Sequence, residues 1–121
     1  MIRIVLGLCI VVFLGSTVIR AEEKRDLATE VRSVFAAKCA ACHGPEVAKP
    51  KGRFGYVTDL ARVAANREMV VPGAPAESEL WELVRRGEMP PNDSSTGPLS
   101  AQQKEVIRAW IEAGAPAKPS R

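Results

Sequence analysis

Cys39-Ala40-Ala41-Cys42-His43 is the stretch on which the reading of this chain turns, because Cys-x-x-Cys-His is the attachment sequence of a c-type heme. The spacing has a chemical reason. Two thiols can each add to one vinyl group of a heme, and two intervening residues let the backbone turn so that both sulfurs reach the same porphyrin edge. The histidine that follows is then held beneath the iron, where its imidazole serves as the proximal ligand. The motif makes Cys39 and Cys42 the expected attachment points and His43 the expected iron ligand.

A Cys-x-x-Cys pair by itself also suits a dithiol redox site, half a zinc site or a disulfide. The rest of the chain weighs against these. It holds three cysteines and one histidine, and the third cysteine, Cys9, lies in the extreme N-terminal segment. Outside that segment every cysteine and the sole histidine sit in one motif, so a tetrahedral zinc site lacks partners. No run of β-branched residues suggests the sheet that a thioredoxin-like fold requires.

Met1 and Arg3 precede an apolar run from Ile4 to Leu14, followed by Gly15-Ser16-Thr17 and then Arg20-Ala21-Glu22. This is the pattern of a secretory signal, with residues 1–21 removed by cleavage after Ala21. Ile19 departs from the small-x-small rule at such a site. The alternative is an uncleaved membrane anchor, since the apolar stretch through Ile19 is near the lower limit for a span. Export agrees with the motif, because covalent heme attachment takes place outside the cytoplasmic membrane, and it places the protein in the periplasm. Residues 22–115 then form one small domain, and 116–121, with Pro116 and Pro119, read as a flexible, frayed tail. The chain carries 17 basic and 14 acidic residues; losing Arg3 and Arg20 leaves 15 against 14. Near-neutral charge gives no footing for nucleic-acid binding.

The remaining pattern is helical, with loops rich in proline and glycine. Leu27, Val31, Val34 and Phe35 form an amphipathic stripe on a helix that begins at Asp26 as N-cap and runs into the motif. Gly44 to Gly55 reads as a loop with no regular element. Asp59 to Ala65 suits a short helix with Leu60, Val63 and Ala64 on one side, and Pro72-Gly73-Ala74-Pro75 suits a turn. Leu80, Trp81 and Val84 mark a helix that stops at Gly87. In the last helix Ser100 and Gln103 make a capping box, Val106, Ile107, Trp110 and Ile111 the buried stripe, and Gly114 the C′ position. The expected fold class is all-α, a small helical domain wrapped around one covalent heme.

Phe35 four residues before Cys39, the motif itself, a later loop methionine and a C-terminal helix bearing Trp110 together resemble a class I cytochrome c. More closely, the order of Cys39 to Gly44, Val71-Pro72-Gly73-Ala74-Pro75 with Ser78 and Leu80, Glu88-Met89-Pro90-Pro91, Leu99-Ser100, Trp110-Ile111 and Gly114-Ala115 is similar to the planctomycete-type cytochrome c domain. That resemblance spans roughly Val31 to Ala115, and it implies an axial methionine opposite the histidine, at the position of Met89. Local chemistry points the same way, because Gly87 ends the preceding helix and Pro90 pushes Met89 out of the α region, so that its side chain is displayed from a loop. Met69 is expected to pack as a core methionine. Where class I cytochromes often carry glycine at the crossing of the terminal helices, this chain has Val31. Phe54 and Tyr56 are expected either against the porphyrin edge or in the core.

With His43 and Met89 on both faces of the iron, the implied function is outer-sphere electron transfer by a carrier, without catalysis of its own. Redox partner proteins are the implied partners, with membrane contact only through an uncleaved N-terminus. Lys49, Lys51 and Arg53 in one loop, with Arg85-Arg86 before Met89, suggest a positive rim for an acidic partner or an ordinary solvated surface. The alternatives are a heme enzyme or gas sensor with a labile distal position, and a heme module docked as the electron entry of a larger enzyme.

Overall fold

The computed structural model of the protein describes residues 25–120. Five α-helices and two single 3₁₀ turns carry the regular structure, and the described residues contain no strand. The chain runs through α1 (Leu27–Lys38), α2 (Ala40–His43), a 3₁₀ turn at Lys51–Arg53, α3 (Leu60–Ala65), a second 3₁₀ turn at Pro75–Glu77, α4 (Glu79–Arg85) and α5 (Ala101–Glu112). The all-α expectation is thereby met. The signal sequence expected over 1–21 lies outside the described residues. Among those residues no helix is long and apolar enough to cross a membrane.

The helix ends follow from the residues placed there. Asp26 caps α1 by accepting from the Thr29 amide at 3.1 Å, and Asp59 caps α3 by accepting from the Arg62 amide at 3.2 Å. Ser100 and Gln103 exchange the two bonds of a capping box at the start of α5. Each bond satisfies one of the amides a first turn leaves without a partner. Gly87 and Gly114 both adopt the left-handed conformation one residue past a helix cap. Behind Gly87 the Glu88 amide bonds the Leu83 carbonyl at 2.9 Å and the Gly87 amide bonds that of Val84 at 3.1 Å. Behind Gly114 the Ala115 and Gly114 amides bond the Trp110 and Ile111 carbonyls at 2.9 and 3.0 Å. Both ends are Schellman motifs, and the first aims the chain out of α4 directly into Met89.

The core forms where α1 packs on α5. Ala28, Val31, Val34 and Phe35 of α1 meet Val106, Ile107, Trp110 and Ile111 of α5, with Val57, Leu60, Val63 and Val70 filling in from the intervening chain. Val31 is fully buried, so the interface accommodates a branched side chain where a glycine would allow closer approach. Ala28 belongs to this face and Leu27 only flanks it, which moves the predicted stripe by one residue.

Two loops differ from their expectation. The stretch from Gly44 to Gly55 is not wholly irregular, since Lys51–Arg53 forms a 3₁₀ turn closed by the Phe54 amide on the Lys51 carbonyl at 3.2 Å. The supposed tail is tied down at its start. Trp110 Nε1 donates to the Pro116 carbonyl at 2.9 Å, Arg32 donates to that of Ala117 at 3.1 Å, and Ala115 is buried.

Candidate heme site

Cys39 ends α1, and the single turn α2 carries Ala40 to His43. The turn closes through the Cys42 and His43 amides, both bonded to the Cys39 carbonyl at 3.2 and 2.9 Å. Cys42 is exposed and Cys39 is half-buried, and both thiols are free. Burial pushes the Cys39 thiol up to about 11, with the neighbouring Cys42 adding to the effect.

Gly44 follows at once and is buried. A Cβ at this position would run into the Ala40 carbonyl oxygen, the acceptor of Gly44's own amide at 2.8 Å. Only the absence of a side chain lets the chain leave the turn here.

The loop that follows returns to His43 twice. The Val57 amide donates to the His43 carbonyl at 3.1 Å, and His43 Nδ1 lies 2.7 Å from the Phe54 carbonyl oxygen. A carbonyl only accepts, so Nδ1 carries the proton and Nε2 keeps its lone pair. This is the arrangement that orients an imidazole as a metal ligand. Phe54 itself is buried, with its ring 5.3 Å from the imidazole.

Two clefts, of about 130 and 210 Å³, share Cys39, His43, Lys51 and Met89 in their walls. The first continues past Cys42 along Pro90, Pro91, Ser94 and Thr96. The second runs inward between Phe54, Val57, Met69, Leu80, Leu83 and Val84. All four residues named from sequence therefore border one opening with apolar walls. No aspartate or glutamate lines either cleft.

Met89 follows the Schellman turn, its amide bonded to the Leu83 carbonyl at 3.2 Å, and the Met89–Pro90 peptide is cis. Its side chain is half-buried. Met69, expected simply to pack, touches the core and also borders the inner cleft. Nothing in its local sequence signals this, because the approach comes from α4. Of the two aromatic residues left between core and porphyrin edge, Phe54 reaches the cleft. Tyr56 turns toward α3, where its hydroxyl accepts from Asn66 at 3.0 Å and Arg62 stacks 4.2 Å from its ring centre.

The donor set fits a heme. Among the described residues no three His, Cys, Asp or Glu side chains come together to hold a bare metal ion. One imidazole and one thioether are too few ligands for a free ion, but they match an iron whose remaining ligands arrive with a porphyrin. The expected positive rim is weaker than the sequence suggests, because Arg85 pairs with Glu82 at 2.7 Å and Arg86 with Glu88 at 3.4 Å.

Comparison with known proteins found no match among curated proteins or solved structures. A family model does match: residues 39–93 fit that described as Planctomycete cytochrome C, from the first motif cysteine through the Met89 loop. Heme-based electron transfer is the general role of cytochrome c domains. Residues 39–93, which carry the motif, Met89 and most of the cleft wall, are thus similar to the planctomycete cytochrome c family.

Proposed function

We propose that the protein carries single electrons in the periplasm through one c-type heme. Cys39 and Cys42 would hold the heme through thioethers, each thiol S–H adding across a vinyl double bond. His43 and Met89 would hold its iron. The observation that carries this reading is the bond from His43 Nδ1 to the Phe54 carbonyl, which leaves Nε2 as the lone-pair nitrogen in a cleft shared by both cysteines and Met89.

Bound there, the heme supplies a one-electron iron couple. The chain's own residues tune it. The Phe54 carbonyl holds the imidazole in one tautomer and orientation. The Met89 thioether favours the reduced state relative to a second nitrogen ligand. Phe54, Val57, Leu80 and Val84 give the inner cleft an apolar lining. Export by residues 1–21 delivers the chain to the compartment where the thioethers form, and acidic redox proteins are the partners that the Lys49, Lys51 and Arg53 loop suits.

The test is the optical spectrum of exported protein in both redox states, beside Met89→Ala. Heme that stays with the chain under denaturing conditions is the expected result, and its release sinks the covalent reading. Wild-type ferric protein is expected to show the sulfur-to-iron charge-transfer band and the variant to lack it. A band that persists in the variant removes Met89 alone as the ligand, whereas a wild type without the band favours the sensor or enzyme alternative. The N-terminal sequence of the mature protein, expected to start at Glu22, tests the export step.

A further inference from the structure

Lys38 is the last residue of α1, immediately before Cys39. Its ammonium donates to the Thr96 carbonyl at 2.6 Å and to the Pro98 carbonyl at 3.3 Å. Thr96 Oγ1 donates back to the carbonyl of Lys38 at 3.3 Å. These three bonds join two segments 58 residues apart, the end of α1 and the chain that leads away from Met89.

The segment 90–98 contains no helix or strand. Its own hydrogen bonds are local, from the Ser94 amide to Pro91 at 2.9 Å, from the Gly97 amide to Ser94 at 3.1 Å, and between the Ser94 and Thr96 hydroxyls at 3.5 Å. Among the described residues, every hydrogen bond that leaves the segment goes to Lys38. Lys38, Pro90 and Thr96 also wall the outer cleft together with His43 and Met89. A segment with so few ties elsewhere opens at low free-energy cost unless something holds it shut.

We propose that Lys38 is a positioning residue for Met89, a latch that keeps segment 90–98 closed and so sets how readily an outside ligand displaces the methionine sulfur. The proposal rests on the reading of Met89 as the distal ligand. Displacement requires the segment to open, opening breaks the Lys38 bonds, and the apparent affinity of an incoming ligand scales with the open fraction. Lys38 touches neither the iron nor the ligand in this account; it acts through the backbone carbonyls of Thr96 and Pro98.

The experiment titrates heme-loaded ferric protein with imidazole and follows the sulfur-to-iron charge-transfer band in wild type, Lys38→Met, Lys38→Arg and Thr96→Val. Methionine keeps the aliphatic stem and removes the charge, so Lys38→Met is expected to bind imidazole about fivefold more tightly, the worth of a partly exposed charge-assisted bond. Lys38→Arg keeps the donors and is expected to stay close to wild type. Thr96→Val loses only the hydroxyl and is expected to shift about twofold in the same direction. Should Lys38→Met fail to load heme, Thr96→Val decides alone. A lysine that merely stabilises α1 would lower the urea midpoint while leaving imidazole affinity unchanged, and that result overturns the proposal. A wild-type protein without the band removes Met89 as ligand and the latch with it; a wild type with the band and variants of equal imidazole affinity removes the latch only.

Discussion

The rings of Phe35 and Trp110 meet edge to face, with centroids 5.8 Å apart and planes at 87°, where α1 packs on α5. Both are fully buried, and the indole also holds the Pro116 carbonyl. Trp110→Ala is expected to cost about 3–5 kcal/mol, from lost burial and the cavity left behind. Trp110→Phe keeps most of the apolar volume but leaves the Pro116 carbonyl without its donor, for about 1–2 kcal/mol. Urea unfolding of the heme-loaded protein, followed by far-ultraviolet circular dichroism, gives both numbers.

Ser78 is the one buried polar residue of the described core. Its hydroxyl accepts from the Val71 amide at 2.9 Å and donates to the Ala74 carbonyl at 2.9 Å, which closes the turn ahead of α4. Ser78→Ala is expected to destabilise by about 1–3 kcal/mol, because the part-buried Val71 amide is left without an acceptor, whereas the Ala74 carbonyl keeps the Glu77 amide. Hydrogen exchange at the Val71 amide is expected to speed up well beyond the global change, which separates a local opening from general loss of stability.

Gly44→Ala forces a methyl group against the Ala40 carbonyl. The obstacle is backbone, so the turn carrying Cys42 and His43 has to give. The expected cost is about 1–3 kcal/mol, with a lower yield of heme-loaded protein. Heme content per chain, measured by absorbance, checks it; full loading with unchanged stability would mean that the turn relaxes freely.

Titration of Cys39 gives a pH dependence whose sign is determined. Its thiol is raised in the folded chain from 9.0 to about 11, chiefly by burial. The unfolded chain therefore loses this proton first. Stability from this group is fully present below pH 9 and declines between pH 9 and 11, by at most about 2–3 kcal/mol and by less after allowance for the partial exposure of the thiol. In heme-free protein the urea midpoint of wild type is expected to fall more steeply over that range than that of Cys39→Ala. Under the proposed attachment a thioether at Cys39 would carry no ionisable proton, and in heme-loaded protein the difference is expected to vanish.

What was legible in the sequence was whatever local chemistry decides. Asp26, Asp59 and Ser100 are caps because their short oxygens reach amides two or three residues ahead, and Gly87 and Gly114 end helices because the left-handed turn disfavours other residues. The spacing of the motif and the loop position of Met89, between Gly87 and Pro90, were legible for the same reason. The partners of these residues were not. The acceptor that orients His43 is a backbone carbonyl, which every residue possesses, and only the folded loop selects that of Phe54. Lys38 reads as a helix-terminal cation, with no hint of the segment it reaches 58 residues on. Pro116 and Ala117 look like a loose end because their anchors, Trp110 and Arg32, lie on helices whose meeting is a tertiary event.

The two returns of the loop to His43 have a consequence for how this domain can be altered. Val57 and Phe54 fasten the far end of the loop to the histidine, while Pro45, Glu46, Ala48 and Lys49 between them and Gly44 are exposed. Length is therefore adjustable in the stretch 45–49 without changing the tilt of the imidazole, as long as residues 54–57 keep their seat. An epitope or affinity handle inserted there would be carried by the domain with its iron chemistry intact, whereas one inserted between Phe54 and Val57 would unseat the ring.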